Sequence, residues 1–508
     1  MQKAIKNEIK RLSDRIFSRE VYRSKKEDEY REKFTRRTGQ RYKLKPGVPP
    51  GYVTRDFDPS YCKRHANFLA KTLWHKAQSG QYKPKPALNF EIDKPGGGKR
   101  SLMAFSIPDT AFANVLMRRI RERNLKKFSP HSFAYHPEKD IFDAILDLRS
   151  YVISTPKIYT VQIDFKDYFD SIPSSYLLGL IDDRDILSTT ATERYVLKQF
   201  LFHQHAKRSQ YEKGRFKRRT RGTPQGSSIS LLLANLANHS LDTALAKKPG
   251  KFVRFADDVT ALCDRYEDAV DIEREFARHC EVSGITMNVE KSPGISILAD
   301  KQAEIRTEPS IKYLGYSFRE NGLHLSAATI ERIKSKISRL VAIYLRKYIR
   351  DVNFNKKRAS RAGGYDWDLL GLITELRNYL YGGLRESQIK GMLVDGTKLA
   401  KMRGLMSFYA LLDHKDALQE LDGWLVHSIR RAIKARNVHL KSHYNWNTVT
   451  PSKKSLIDGD WLDLSNWDGD DYPEVQFPSF VRGWRAARRY YLIYGLKDVE
   501  PPKYGYGY

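Results

Sequence analysis

The 508-residue sequence predicts an α+β fold. Three observations predict it. From about residue 157 to 320, apolar strand-like runs alternate with helical patterns, whereas both flanks carry helical spacing alone. A composition of 41% hydrophobic and 12% aromatic residues is enough to build packed cores. The length corresponds to roughly three structural units at about 150 residues each, and no internal repeat points to a solenoid.

Charge narrows the partners. Lys and Arg number 90 against 60 Asp and Glu, a formal net charge of +30. An excess of this size concentrates polyanions, and 30 tyrosines offer stacking surfaces, so nucleic acid is the expected partner and an anionic membrane surface the lesser alternative. Cys62, Cys263 and Cys280 are far apart and show no C-x-x-C pairing, which argues against a disulfide framework or zinc knuckle and for a reducing, cytoplasmic setting. Met1 to Lys6 lead into charged sequence without an apolar core, and no run approaches a membrane span.

Along the chain, residues 1–60 read as a basic helical arm and linker, with 16 Lys or Arg against 7 Asp or Glu in the first 50 and a Pro/Gly-rich stretch from Lys45 to Gly51. A solvated surface helix is the alternative for that arm. Ala87 to Ile92 reads as a strand entering the glycine turn Lys94-Pro95-Gly96-Gly97-Gly98-Lys99-Arg100, a loop able to approach phosphate closely and equally an exposed hairpin. Ser326 reads as the N-cap of a helix whose apolar positions run from Ile330 to Tyr348. Residues 455–481 hold seven acidic residues and no Lys or Arg, and the chain closes on Tyr504-Gly505-Tyr506-Gly507-Tyr508.

Three carboxylates stand out by their setting. Asp164 ends the apolar run Ile158–Ile163, and Asp257-Asp258 interrupts the apolar run Lys251–Leu262. Adjacent carboxylates among hydrophobic strands repel one another and are costly to desolvate, and a divalent metal is the natural compensation. A lone Asp-Asp pair would read more readily as a turn at a surface hairpin.

The surrounding segments decide between these, because they resemble the ordered motifs of reverse transcriptases. Asp164-Phe165-Lys166-Asp167-Tyr168-Phe169-Asp170-Ser171-Ile172 resembles motif A, and Gly222-Thr223-Pro224-Gln225-Gly226-Ser227-Ser228-Ile229-Ser230 resembles motif B. Phe255-Ala256-Asp257-Asp258 is similar to motif C, Gly284 to Ser292 to motif D, and Ile311 to Tyr316 to motif E, with fingers-like segments at Arg100 and at Ser132-Phe133-Ala134-Tyr135. The resemblance covers roughly residues 60–430. It implies a right-hand polymerase: fingers at 61–156, a palm of antiparallel strands and helices at 157–322 with an insertion at about 177–221, a helical thumb at 323–436 and a C-terminal extension at 437–508.

The resemblance also implies roles. Asp164 and Asp257 would ligate two Mg²⁺ ions, with Mn²⁺ as a substitute, Asp258 would assist, and the Phe165 carbonyl would complete the shell. Phe169 stands at the aromatic steric gate that rejects a 2′-hydroxyl, which implies DNA synthesis from dNTPs. Gln225 and Gly226 would pass close to the incoming nucleotide, Arg100 and Lys99 would clamp its triphosphate, and Lys291 would be the general acid for pyrophosphate. Tyr313, Leu314 and Gly315 would hold the primer end, or form ordinary strand core. Lys207, Arg208, Lys213, Arg215, Lys217, Arg218, Arg219 and Arg221, opposed by Glu212, read as a loop binding template phosphates, with a solvated loop as the alternative. Two positions depart from the pattern, Phe255 where most relatives have Tyr and Leu231 where a proline is common.

Within the family, no acidic RNase H cluster follows, no paired cysteines mark an endonuclease, and the retron Val-Thr-Gly element is absent. Lys63-Arg64-His65 through Trp74-His75-Lys76, Tyr82-Lys83-Pro84-Lys85-Pro86 and the C-terminal extension resemble the bacterial defence-associated group. That implies a structured non-coding RNA as template, a cDNA product, a role in antiviral defence, and leaves a homo-oligomer open. The alternative is a group II intron-like maturase, which Arg403 to Tyr409 and Leu421 to Trp424 resemble, binding RNA with polymerisation secondary. A C-terminal tyrosine as protein primer and the acidic segment as a nucleic-acid mimic or docking element are further expectations.

Overall fold

The structure is a computed structural model and describes residues 1–38, 52–93, 98–134, 136, 138–301, 303–350, 354–359, 365–399, 401–465, 467, 472–496 and 499. The chain forms two units, one of residues 1–26 and 44–311, the other of residues 27–43 and 312–508. Residues Lys45 to Gly51, Lys94 to Gly97, Tyr135, three of the seven acidic residues of 455–481 and the tyrosines of the tail lie outside the described residues.

In the first unit, strands β1 (Ala87–Asp93), β2 (Lys99–Ala104), β3 (Tyr159–Ile163), β4 (Gln204–Ala206), β5 (Lys217–Arg218), β6 (Lys251–Phe255), β7 (Asp258–Cys263), β8 (Gly294–Leu298) and β9 (Thr307–Glu308) build two sheets. One has the order β2-β1-β4-β5, the other β6-β7-β3-β8-β9. Tyr159, Thr160, Val161 and Ile163 are all buried, which suits a strand covered on both faces, and β3 lies antiparallel between β7 and β8. The helix Tyr266–Ser283 packs on β3, β7 and β8 and stops at Gly284, whose φ of +66° supplies the left-handed residue that closes a helix end. Asp140 and Asp143 form a capping box that starts the helix Ile141–Ser154, which packs on β6.

The N-terminal arm is a helix, Gln2–Thr38, and its first part is core rather than solvated surface. Ile5, Ile9 and Leu12 are buried, and the buried carboxylate of Glu8 accepts hydrogen bonds from Arg11, Asn114 and Arg118. Those partners hold the Glu8 carboxyl below its ordinary range against the opposing effect of burial.

A buried guanidinium joins the segments around the β6–β7 turn. Arg254 is 1% exposed and meets Asp242 in a two-point ion pair, its Nε donating at 2.7 Å. The same group donates to Asn235 Oδ1 at 3.0 Å, to Ser132 Oγ at 2.8 Å and to the Ala256 carbonyl at 2.9 Å. Its backbone bonds both ways with His131 and Phe133, so residues 131–133 run along the free edge of β6. One side chain thus ties that segment, the helices Ser228–Ala237 and His239–Leu245, and the turn after β6.

In the second unit β10 (Ile311–Tyr313), β11 (Tyr316–Arg319) and β12 (Gly322–Leu325) form a sheet in that order. Ser326 caps the helix Ala327–Ala342 as expected, its hydroxyl accepting from the Thr329 amide, with Ile333, Ile337 and Val341 on the buried face. The regular helix ends at Ala342 rather than continuing to Tyr348; a wider turn follows over Ile343–Lys347 and a tight one over Tyr348–Arg350. The long helix Asp416–Tyr444 is held by the buried Arg436–Asp366 pair, and its Asp422 accepts from the Phe480 amide and Ser479 hydroxyl at the start of the helix Phe480–Tyr494. Within the acidic stretch, Glu474 is engaged internally, accepting from the Glu386 amide beside Arg377.

Removing one partner of a buried ion pair strands the other, at about 3–5 kcal/mol, whereas replacing both by apolar groups is often near neutral. Arg254→Met should therefore destabilise the chain by about that amount in urea denaturation, and Arg254→Met with Asp242→Leu should recover most of it. Equal stability of Arg254→Met and the parent would show that the pair carries no such weight.

Candidate active site

The ladder between β3 and β7 pairs Ile163 with Val259, so one step further it sets Asp164 beside Asp258. β6 and β7 meet in a tight turn in which Phe255 pairs with Asp258, leaving Ala256 and Asp257 at the tip. Ala256 has φ of +62°, a conformation costly for a residue with a Cβ, and the hydrogen bond from Arg254 to its carbonyl holds it there. The backbone of Asp164 is fixed as well: its amide donates to Ser292 Oγ at 3.1 Å and its carbonyl accepts from the Asn288 amide at 2.8 Å.

Asp164 lies close enough for its charge to act on both Asp257 and Asp258. Burial first, then the charges of Asp257 and Asp164, push Asp258 up to about 8. Burial and Asp164 raise Asp257 too, while Arg100 and Lys291 act in the opposite direction. Lys291 Nζ lies 3.1 Å from Asp164 Oδ2, and Asn288 Nδ2 donates to the same oxygen at 3.3 Å. Asp164, Asp257, Asp258, Lys291 and Arg100 are thus brought to one place. Among the described residues, no three His, Cys, Asp or Glu side chains are gathered closely enough to hold a metal ion as they stand. The donor chemistry nonetheless fits a hard cation: half-buried carboxylate oxygens, with the Asp257 and Asp258 carboxyls raised above their ordinary range.

Phe165 is buried, its backbone paired with Met287. Phe169 lies on the single helical turn Tyr168–Ser171, and its carbonyl accepts from the Thr223 amide at 2.6 Å. Gln225 accepts from the Met103 amide through its carbonyl at 2.7 Å, and Gly226 must be glycine: its φ is +117° and a Cβ would fall 2.4 Å from the Met103 carbonyl oxygen. Lys99 is mostly exposed and pairs with Glu91 at 3.3 Å.

The basic run is more structured than the loop the sequence predicts. It carries a helical turn, Arg208–Tyr211, and β5, which pairs with β4. Lys213, Arg215 and Lys217 are exposed, and Arg218 lies over the Phe202 ring. Lys207 pairs with Glu91 at 2.7 Å, Arg208 with Glu212 at 3.3 Å, and Arg221 donates to the Ser171 carbonyl at 2.8 Å. Arg219 is buried against Asp170, its Nη2 donating at 2.6 Å. Tyr313, Leu314 and Gly315 belong to the second unit: Tyr313 and Leu314 are buried, and the Gly315 carbonyl accepts from Thr329 Oγ1 at 3.0 Å.

Sequence reasoning missed Arg254, Asp242, Asn235, Ser132 and Asp170 as site-building residues. One signal was present, a single arginine inside the apolar run Phe252–Ala256.

Residues 92–318 match the family described as Reverse transcriptase (RNA-dependent DNA polymerase). Among curated proteins, the chain is 24% identical over 203 residues to an uncharacterized 91 kDa protein in a cob intron of Schizosaccharomyces pombe, covering 40% of this chain and 24% of that one. It is also 24% identical over 357 residues to a putative COX1/OXI3 intron 1 protein of Saccharomyces cerevisiae, covering 59% of this chain and 40% of that one. The chain thus spans less than half the length of these relatives. Among solved structures, telomerase from Candida albicans with a fragment of telomeric RNA aligns at a TM-score of 0.38 and 12% identity, over 76% of this chain and 67% of that one. The segment that holds Asp164, Asp257 and Asp258, residues 92–318, is a reverse transcriptase domain.

Proposed function

We propose that this chain is an RNA-directed DNA polymerase that copies a structured non-coding RNA into cDNA, in antiviral defence. The observation that carries the polymerase reading is the convergence of Asp164 with Asp257 and Asp258 where β3 meets the β6–β7 turn, inside a matched reverse transcriptase domain. The defence setting is supported by the resemblance of residues 63–86 and of the C-terminal extension to that group. A maturase is the second reading, supported by three of the matched curated proteins being intron proteins. Fingers at 61–156, palm at 157–322, thumb at 323–436 and a C-terminal extension remain the proposed division.

Asp164, Asp257 and Asp258, with the Phe165 carbonyl, would hold two Mg²⁺ ions, which when bound supply positive charge to the attacking 3′-hydroxyl and the leaving pyrophosphate. Arg100 and Lys99 bind the triphosphate, Gln225 and Gly226 line the nucleotide, and Phe169 excludes the 2′-hydroxyl. Lys291 gives a proton to the leaving pyrophosphate, for which its ammonium must leave Asp164. The exposed cations of the 207–221 segment take template phosphates.

The direct test is to purify the chain with co-expressed RNA, add Mg²⁺ and dNTPs, and sequence the DNA formed. DNA should form with the parent and be abolished by Asp257→Ala with Asp258→Ala; product from both would refute the assignment of the carboxylates.

A second prediction concerns the metal-free protein. An unfolded aspartate titrates near about 4, whereas Asp258 is pushed up to about 8 in the fold. Between those pH values the folded chain keeps a proton that the unfolded chain has released, so stability falls as pH rises through that window. Asp258→Asn removes the effect. In EDTA its urea midpoint should match the parent near pH 4, exceed it increasingly towards pH 8, and lose the advantage when Mg²⁺ is added. A gain independent of pH would show that the carboxyl's ionisation is not the cause.

A further inference from the structure

We propose that the Asp170–Arg219 ion pair is the positioning element that sets how strongly Phe169 discriminates between deoxyribose and ribose nucleotides. This rests on the polymerase reading above and adds to it two residues to which that reading gives no part in holding metal or nucleotide.

Phe169 sits on a helical turn of four residues, Tyr168–Ser171, entered through Asp167 at φ of +44°. A single turn has almost no stability of its own, so its place is set by what grips it. Three of the grips come from the first two residues of motif B and the residue before it. Thr223 N–H donates to the Phe169 carbonyl, Gly222 N–H to the Ile172 carbonyl at 2.8 Å, and Arg221 to the Ser171 carbonyl. The approach is close: a Cβ on Gly222 would lie 2.4 Å from the Phe169 oxygen.

Within that turn, the Asp170 side chain joins the segment before motif B to motif B itself. One of its oxygens accepts from Arg219 at 2.6 Å, and the other accepts from Gln225 Nε2 at 3.2 Å. The carboxylate therefore couples the turn carrying the aromatic gate to the turn carrying Gln225, which is itself bonded to Met103 of β2. Arg219 is 9% exposed, and its Nε has no hydrogen-bond partner among the described residues. A guanidinium buried at that cost gains little net stability from one partly exposed carboxylate, and what it does gain is a fixed geometry. A gate works by clash with a single oxygen atom, so it loses selectivity when its backbone shifts by a fraction of an ångström.

The test compares kcat/KM for dNTP and rNTP on an RNA template with Mg²⁺. The variants are Phe169→Ala, Asp170→Ala, Asp170→Asn, Arg219→Gln, Arg219→Lys and the Asp170→Ala, Arg219→Gln double variant, with thermal melting as a control for folding. Asp170→Ala and Arg219→Gln should each lower the dNTP preference about tenfold or more, in the direction of Phe169→Ala. The double variant should be no worse than either single one, and Arg219→Lys should keep part of the preference. If folded variants lose kcat/KM equally for both sugars, the pair is merely structural and the proposal fails; Asp170→Asn supplies this reading should Asp170→Ala not fold. An unchanged preference in Phe169→Ala would remove the gate and the proposal while leaving the polymerase intact. No DNA from the parent would overturn the polymerase reading itself.

Discussion

The Arg254–Asp242 pair is the interaction on which the site's geometry depends. A two-residue turn of Ala256 and Asp257 has no reason of its own to keep Ala256 in a left-handed conformation; the donor to its carbonyl supplies that reason. Because the same guanidinium also holds Asn235 and Ser132, the position of the turn is fixed relative to the helix that follows Gly226 and to the segment before Tyr135. A buried ion pair of this kind contributes little net stability compared with a well-packed apolar substitute. Its value lies in direction, since guanidinium and carboxylate meet in one orientation only.

Around that fixed turn the charges are deliberately unbalanced. Two carboxyls are raised above their ordinary range, and the cations that oppose them, Lys291 and Arg100, come from separate elements. Such a site is short of positive charge, a condition that favours any divalent cation the oxygens can reach.

What the sequence made legible was local. The strands around Asp164 and Asp258, the Ser326 cap and the ordered motifs can each be read from a few neighbouring residues, and the structure has strands and a cap at those places. What escaped depended on residues distant in the chain. Arg219 reads as one cation among eight, and only the fold brings it 2.6 Å from Asp170. Arg254 is a single cation within an apolar run, and its partners Asp242, Asn235 and Ser132 are 12, 19 and 122 residues away in the chain. The helix starting at Ala327 was expected to run on because Tyr344 and Leu345 keep an apolar spacing; burial is preserved there by a wider turn instead. Ile5, Ile9 and Leu12 repeat at helical spacing within a charged arm, and the charge drew attention from the buried stripe.

The internal pairing of the segment 207–221 has a thermodynamic consequence for the template contacts proposed for it. Lys207, Arg208, Arg219 and Arg221 are engaged within the protein, so half of its eight cations are already neutralised or committed. Each phosphate contact releases condensed counterions and adds about −0.9 to the slope of log affinity against log salt on duplex, and about −0.7 on single strands. A tally of basic residues would therefore overstate the counterions released on binding roughly twofold. The engaged half belongs to the entropy of folding, and only the remainder would enter the entropy of capturing a strand by the proposed contacts.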